Sequence, residues 1–373
     1  METVLISGAG VAGVALAERL HRHGAAVTVV ERAPGLRRGG HAIDVRGVAL
    51  EVLRRIGVLA EARRMRTRMR GMSMLDGDGR ELWSSTETVL SSGPLDNSDI
   101  ELLREDLVGL LHRRTSEDVE YVFGDRITAL RQDADAVHVT FESGERRSFG
   151  LVVGADGLHS GLRRLVFGAE EEFLAPLGAH VAVYSAENFL GLEDWQVWCR
   201  EGDATFCLYP VRDNTELRVT AGFMAPSAPQ PVDRVPRDVA AQKALVAQRT
   251  GHLRWETPAL LKAMDEAPDF YFDAMAQVHM DSWSRGRVTL IGDAGYCPSP
   301  LSGQGTGLAL VGAHVLAEAI AAADGDHERA FAAYEERMRP FAEVNQAIAT
   351  VRPDEGAEGP AMDEVKNAIE LDG

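Results

Sequence analysis

"TVLISGAGVAGVALAERLHRHGAAVTVVER", Thr3 to Arg32, decides the fold. Thr3 to Ser7 is a short apolar run of the kind that forms a buried parallel strand. Gly8-Ala9-Gly10-Val11-Ala12-Gly13 then fits G-x-G-x-x-G, and Val11 to His23 carries helical apolar spacing. Ala26 to Arg32 is the next strand, with Glu31 near its end. A strand, helix and strand in this order predict an α/β fold. Gly8 permits the tight turn, Gly10 lets a pyrophosphate approach the backbone, and Gly13 lets helix and strand pack closely. The helix start at Val11 and Ala12 offers free N–H groups and the positive end of a dipole to phosphates. Glu31 can accept hydrogen bonds from an adenosine ribose, with Arg32 beside it. The pattern predicts a dinucleotide site, and Glu31 by itself suits NAD or FAD.

The whole chain sets outer limits. Its 373 residues are 45% hydrophobic and 26% charged, ordinary values for a globular enzyme of one large or two ordinary domains. A formal charge of −18 argues against a nucleic-acid partner, which needs a basic face. The local run "RRMRTRMR", Arg63 to Arg70, reads as a solvated helix face. Cys199, Cys207 and Cys297 match no zinc spacing, so no metal site is expected. They suit a reducing compartment better than a disulfide framework. Met1 to Ser7 shows no signal-peptide pattern and no apolar run spans a bilayer, so a cytoplasmic protein without membrane insertion is expected.

Further along, Gly47 to Leu59 reads as a helix. "SDIELLREDLVGLLHRR" reads as another, with Ser98 as N-cap and Glu101 completing a capping box. Arg126 to Asp156 alternates apolar and polar residues around a Ser143–Gly144 turn, which predicts antiparallel strands returning to a buried strand at Leu151 to Gly154. From about Leu174 to Met280 strand patterns dominate, interrupted by one helical stretch, Val239 to Arg249. Two long amphipathic helices follow residue 307. "RPDEGAEGPAMDE" reads as a polar linker before a short tail helix. The expected division is a discontinuous Rossmann-like domain, 1–172 and 281–345, a β-sheet substrate domain, 173–280, and a tail, 346–373.

Two later motifs settle the choice of dinucleotide. Gly154-Ala155-Asp156-Gly157-Leu158-His159-Ser160-Gly161-Leu162-Arg163 matches "GADGxxSxxR". Gly292-Asp293-Ala294 with "PSPLSGQG" matches "GDAxHxxxPxxGQG", except that Tyr296 replaces the histidine. With the first glycine turn, the chain resembles the class A flavoprotein monooxygenases of the para-hydroxybenzoate hydroxylase type. It is most similar to small tetracycline-inactivating enzymes and hydroxylases of aromatic polyketides. The resemblance runs over about residues 1–345. It departs at Gly307, where the family often has Asn, and at Gly312-Ala313, where it often has Asp-Ala.

The resemblance implies that both glycine turns serve one FAD. Asp293 would accept hydrogen bonds from ribitol hydroxyls. Gly303, Gly305 and Thr306 would line the flavin, where a helix start stabilises the anionic reduced ring. Asp44, Arg46 and Arg104 fall where the family contacts FAD. Asp156 falls where it either bridges the cofactors' phosphate regions or caps the following helix. Arg37 falls where a relative contacts the nicotinamide cofactor. The implied reaction uses NADPH or NADH transiently and O2, and hydroxylates an aromatic, phenolic or polyketide-like molecule through a flavin C4a-hydroperoxide. No protein nucleophile is needed, so no catalytic side chain is expected. Pro300 and Gly303 are the implied substrate contacts. Phe206, Tyr209, Arg212, Phe223 and Met224 are further candidates from the second domain. An oxidase or dehydrogenase without oxygen insertion, and a non-redox FAD protein that binds or cyclises a ligand, are the alternatives. A monomer or homodimer would suffice.

Overall fold

The computed structural model describes residues 2–91, 93–225, 236, 238–350 and 362–372. Thr3–Ser7 is central in a six-stranded sheet, flanked by Leu151–Gly154 and Ala26–Glu31. Val288–Leu290 extends one side and Glu120–Phe123 the other, all parallel, with Ser284–Arg285 antiparallel at the edge. Val4, Leu5, Ile6, Val152 and Val153 have no exposed surface, as strands covered on both faces require. Helix Val11–Arg22 packs on helix Gly305–Ala322, and His327–Ile348 packs on the latter. Ile127–Gln132, Val137–Phe141 and Arg146–Phe149 form a three-stranded antiparallel appendage whose last turn contains Gly144 at φ +88°.

Helix Gly305–Ala322 corrects one expectation: it is long and apolar enough to cross a membrane. Its apolarity has another cause, because 61% of that window is buried inside the protein between neighbouring helices.

The second sheet has seven strands, in the order Tyr271–Val278, Leu174–Glu187, Glu216–Met224, Ala204–Val211, Trp195–Glu201, Gly71–Leu75 and Glu81–Ser85. The hairpin Gly71–Ser85 therefore belongs to this sheet rather than to the 1–172 unit. It joins through a parallel pairing of Gly71–Leu75 with Trp195–Glu201, a long-range partnership that local pattern does not announce. One face of the sheet is covered by helices Val239–Thr250 and Thr257–Glu266, the second of which the sequence reading missed. The other face looks toward the first domain.

A second correction concerns residues 98–103. Ile100–Leu103 is a strand paired antiparallel with Ala42–Val45, and the helix begins only at Arg104. Ile100 and Leu102 are 1% and 0% exposed on the core side, so Ile-Glu-Leu-Leu follows a two-residue period. Tertiary pairing overrides the local capping signal. In the same way the basic run keeps only Arg63 and Arg64 on a helix, Leu59–Arg64.

Most of the expected polar linker lies outside the described residues. Its tail helix is Met362–Val365, and the chain after it docks on the first domain, with Lys366 Nζ 2.9 Å from Asp99 and Arg55 2.7 Å from Asp372.

Candidate functional site

Gly8 closes the first strand at φ +107°, and a Cβ there would stand 2.5 Å from the Ala155 carbonyl oxygen. A Cβ on Gly13 would stand 1.9 Å from the Gly8 oxygen, so helix and strand touch at that point. Gly10 differs. Its φ is −80°, which any residue adopts, and a Cβ there would meet nothing within 4 Å. Neither conformation nor packing asks for glycine at Gly10; an empty cradle at a helix N-terminus suits an approaching pyrophosphate. Glu31 is held beside it: Ala9 N–H donates to one carboxylate oxygen at 2.9 Å and Ala33 N–H to the other at 2.8 Å. Arg32 is exposed next to it.

The second glycine turn lies against the first. Gly292 has φ +60°, and a Cβ there would come 3.1 Å from the Ala12 side chain. Asp293 follows, its side chain open to solvent on one side, and the protein packed around it raises its carboxyl pKa. Cβ positions on Gly303 and Gly305 have no neighbour closer than 3.7 Å, which leaves room for a flat group along the backbone. The first turn of helix Gly305–Ala322, with Thr306 half-buried in it, aims unpaired N–H groups at that space. Ser299, which no sequence signal marked, holds φ +74° with ψ 149°, a strained region for a non-glycine residue. It caps the Pro300–Ser302 turn by accepting from Leu301 N–H.

The third motif ties these turns together. Asp156 accepts from Ser160 Oγ and from Leu162 N–H, so it caps the Gly161–Val166 helix; burial raises its pKa. Arg163 is fully buried and donates 2.8 Å to the Ala294 oxygen and 2.6 Å to the Leu158 oxygen. It is a strut between the Asp156 loop and the Asp293 turn, a role hidden in the sequence because both acceptors are backbone. The departures at Tyr296 and Gly312 explain one another. A Cβ on Gly312 would lie 2.0 Å from the Tyr296 hydroxyl, which is hydrogen-bonded to buried Tyr334 at 3.0 Å. The tyrosine takes the volume that the glycine vacates.

Cations gather on the Glu31 side. Arg104 Nη2 donates to the Arg37 and Gly39 oxygens at 3.0 and 2.9 Å. Burial, then Arg37, lowers its pKa to about 10. Arg37 is exposed and lies over the Tyr271 ring at 4.6 Å. His41 is held neutral: burial, then Arg104 and Arg37, lowers its pKa to about 4. On the other side Arg46 Nη2 is 2.8 Å from Asp44, and both lie within 4 Å of a Cβ position on Gly303. Arg46 Nε is buried with no partner among the described residues. An orphaned donor beside an open backbone turn fits a polar ligand edge there.

Strand parity redraws the substrate-facing set. Phe206 and Phe223 belong to the cluster under helices Val239–Thr250 and Thr257–Glu266, on the far face of the sheet, so their expected contact with substrate does not hold. Arg212 is also withdrawn: it bonds Asp106 and Glu105 at 2.8 Å and ties a hairpin to the first domain. Tyr209 is on the seam face, where its hydroxyl accepts from Ala42 N–H at 2.7 Å. Met224 has the same parity and is 49% exposed. Pro300 is exposed at the second turn. Gln196 and Trp198, opposite Tyr209 and Cys207, share this face. Trp198 Nε1 donates to Gln196 at 2.6 Å, and Gln196 donates to Ser91 at 2.8 Å. Alternation in "WQVWCR" carried that information.

Comparison with known proteins agrees with this geometry. The FAD binding domain family matches residues 1–348. An uncharacterized Mycobacterium tuberculosis protein is 52% identical over 94% of this chain and 93% of its own. A flavin-dependent monooxygenase of Legionella longbeachae is 39% identical over 92% of this chain and 86% of its own. The crystal structure of tetracycline destructase Tet(51) superposes with a TM-score of 0.85 at 35% identity, covering 94% of this chain and 89% of that one.

Proposed function

This chain belongs to the FAD-binding-domain family of flavin-dependent monooxygenases, and from that footing we propose that it spends NADPH or NADH and O2 to hydroxylate an aromatic, phenolic or polyketide-like small molecule. The observation that carries the reading is the meeting of two glycine turns from opposite ends of the chain, Gly8–Gly13 and Gly292–Gly307, around an open cradle. FAD bound there supplies the electron transfer and oxygen activation.

The chain's own residues do the rest. Gly10 and the Val11 helix start receive the pyrophosphate, Glu31 the ribose, and Asp293 the ribitol hydroxyls. The N–H groups of the Gly305 helix start stabilise negative charge on the flavin's edge. Arg37, exposed over the Tyr271 ring, is the cation we assign to a transient nicotinamide cofactor. The substrate lies along the seam, against Trp198, which Gln196 holds in place, and against Met224 and Pro300, and its own bulk over these side chains keeps water from the reacting atoms. A tetracycline is one member of the class to try, since Tet(51) bears that name.

The test is mass spectrometry of phenols, aromatic polyketides and tetracyclines incubated with FAD-loaded protein, NAD(P)H and labelled oxygen gas. One labelled atom in a product supports monooxygenation. Product that is dehydrogenated but unlabelled moves the assignment to an oxidase, and the absence of both NAD(P)H consumption and any oxidised product with every compound removes the redox reading.

A further inference from the structure

Glu101 is 8% exposed, ionisable, and has no part in the function proposed above. It lies directly across the strand pair from Asp44. Opposed residues of an antiparallel pair share a face with their Cβ atoms roughly 5 Å apart, and like charges there repel. The face is the outer one. Ile43, Val45, Ile100 and Leu102 point into the core, while Ala42 and Leu103, on the Asp44 side, pack against Cys207 and Tyr209 of the second sheet. Two carboxylates therefore look together into the seam.

Their surroundings do not supply enough positive charge. Arg46 pairs with Asp44 at 2.8 Å and also donates to the Ser91 oxygen. Thr67 Oγ1 donates to Glu101 at 2.6 Å. Neighbouring Asp99 is engaged by Lys366 at 2.9 Å and by Gly47 N–H at 3.0 Å. Among the described residues the second sheet brings Cys207 and Tyr209, whose pKa values burial drives well upward, so both are neutral, and, across from Tyr209, Arg218, whose guanidinium is taken by Glu105 at 2.9 Å and by Glu216. Among the described residues, the cations left for Asp44, Glu101 and Asp99 are thus Arg46 and Lys366. Arg46 is itself 8% exposed, with its Nε–H unpartnered among these residues and its Nη2 3.7 Å from a Cβ position on Gly303.

We propose that Asp44 and Glu101 hold one proton between them, and that Glu101 is the positioning residue that keeps it there, so that the face beside the Gly303 turn is balanced in charge. Asp44 is the member that meets the bound cofactor. Burial, opposed by Arg46 and reinforced by Glu101, raises Asp44 to about 7, and burial raises Glu101 too. Removal of the proton leaves a surplus carboxylate beside a ring that becomes anionic on reduction, and beside an FAD already anionic at its phosphates. The location of the flavin rests on the proposed function; the shared proton does not.

Infrared pH titration of the apoprotein tests the pair. The wild type should show a protonated carboxyl that is lost between about pH 6 and 8. In both Asp44→Asn and Glu101→Gln the loss of that band should move to lower pH, because the remaining acid keeps its burial but no longer has a like-charged neighbour. Thr67→Val, a milder change, should move the titration upward, since it removes a donor to the ionised pair, and it serves if either other variant fails to fold. The FAD dissociation constant of the wild type should rise about 5-fold across the same interval and that of Glu101→Gln should stay flat. A wild type without such a band, or a Glu101→Gln titration that copies it, overturns the pair. A titrating pair in a protein that binds no FAD leaves the shared proton standing and removes the flavin assignment.

Discussion

The two glycine-rich turns use glycine for opposite reasons. In the first, Gly8 and Gly13 are demanded by the fold: added Cβ atoms would stand 2.5 and 1.9 Å from backbone oxygens. Gly10 alone sits in open space. In the second, Gly303, Gly305 and Gly307 have no neighbour nearer than 3.5 Å; Gly295 is crowded by Leu290 of the strand before it, and Gly292 by Ala12 of the first turn. The first turn is a packing joint with one glycine reserved for a ligand. The second is a lining with one glycine reserved for the joint. A count of glycines in a motif therefore says little about which of them meets the cofactor.

Apoprotein stability and cofactor affinity separate the two uses. Gly13→Ala should cost the apoprotein at least about 3 kcal/mol in urea unfolding, because backbone oxygen cannot move aside as a side chain can. Gly10→Val should leave apoprotein unfolding unchanged and weaken FAD binding about 100-fold, near 2.7 kcal/mol, by fluorescence titration. If Gly10→Val melts as Gly13→Ala does, Gly10 is a packing glycine too and the contrast is broken. At the second turn, Asp293→Ala should weaken FAD binding about 10-fold through loss of its hydrogen bonds to the ribitol hydroxyls, without destabilising the apoprotein. Unchanged affinity would show that the ribitol contact lies elsewhere.

What could be read from the chain divides along the same line. The first turn, its flanking strands and Glu31 were legible because strand, helix and strand are contiguous and each has its own period. The Gly292 turn was legible as a motif, but its place beside Ala12 was not, since no local pattern encodes a contact between distant segments. Glu101 was misread because a capping signal and a two-residue alternation overlap at Ser98–Leu103, and only pairing with Ala42–Val45 decides between them. Phe206 and Phe223 were chosen for chemistry; parity against Tyr209, which needs the register of the sheet, puts them on the other face. Arg163 was quoted as the end of a motif, yet its partners are the Ala294 and Leu158 carbonyls, to which sequence is silent.

The smallest expected effect concerns what stands behind the first turn. Gly8 leans on Ala155 and Asp156, and the loop that follows is tied to the second sheet by His159, 3.0 Å from Asp273 and 3.1 Å from Glu170. Tyr271 donates to the same Asp273 at 2.8 Å. The hydrogen bonds to Asp273 and Glu170 raise the His159 pKa to about 9 against opposing burial. A histidine whose pKa is higher folded than unfolded adds stability that is complete below the unfolded value, about 6.5, and is lost as pH rises through 9. The side chain is 44% exposed, so solvent screening holds the gain to about 1 kcal/mol. Unfolding free energies of the wild type from urea titration should therefore fall between about pH 6.5 and 9.5 by that amount more than those of His159→Gln. Over the same interval, hydrogen exchange should quicken at Gly154–Ser160 and at the first turn it backs, while residues 292–307 hold their rate. Equal quickening at both turns would mean that they move as one body, and the division of labour between joint and lining would then describe the glycines but not the mechanics.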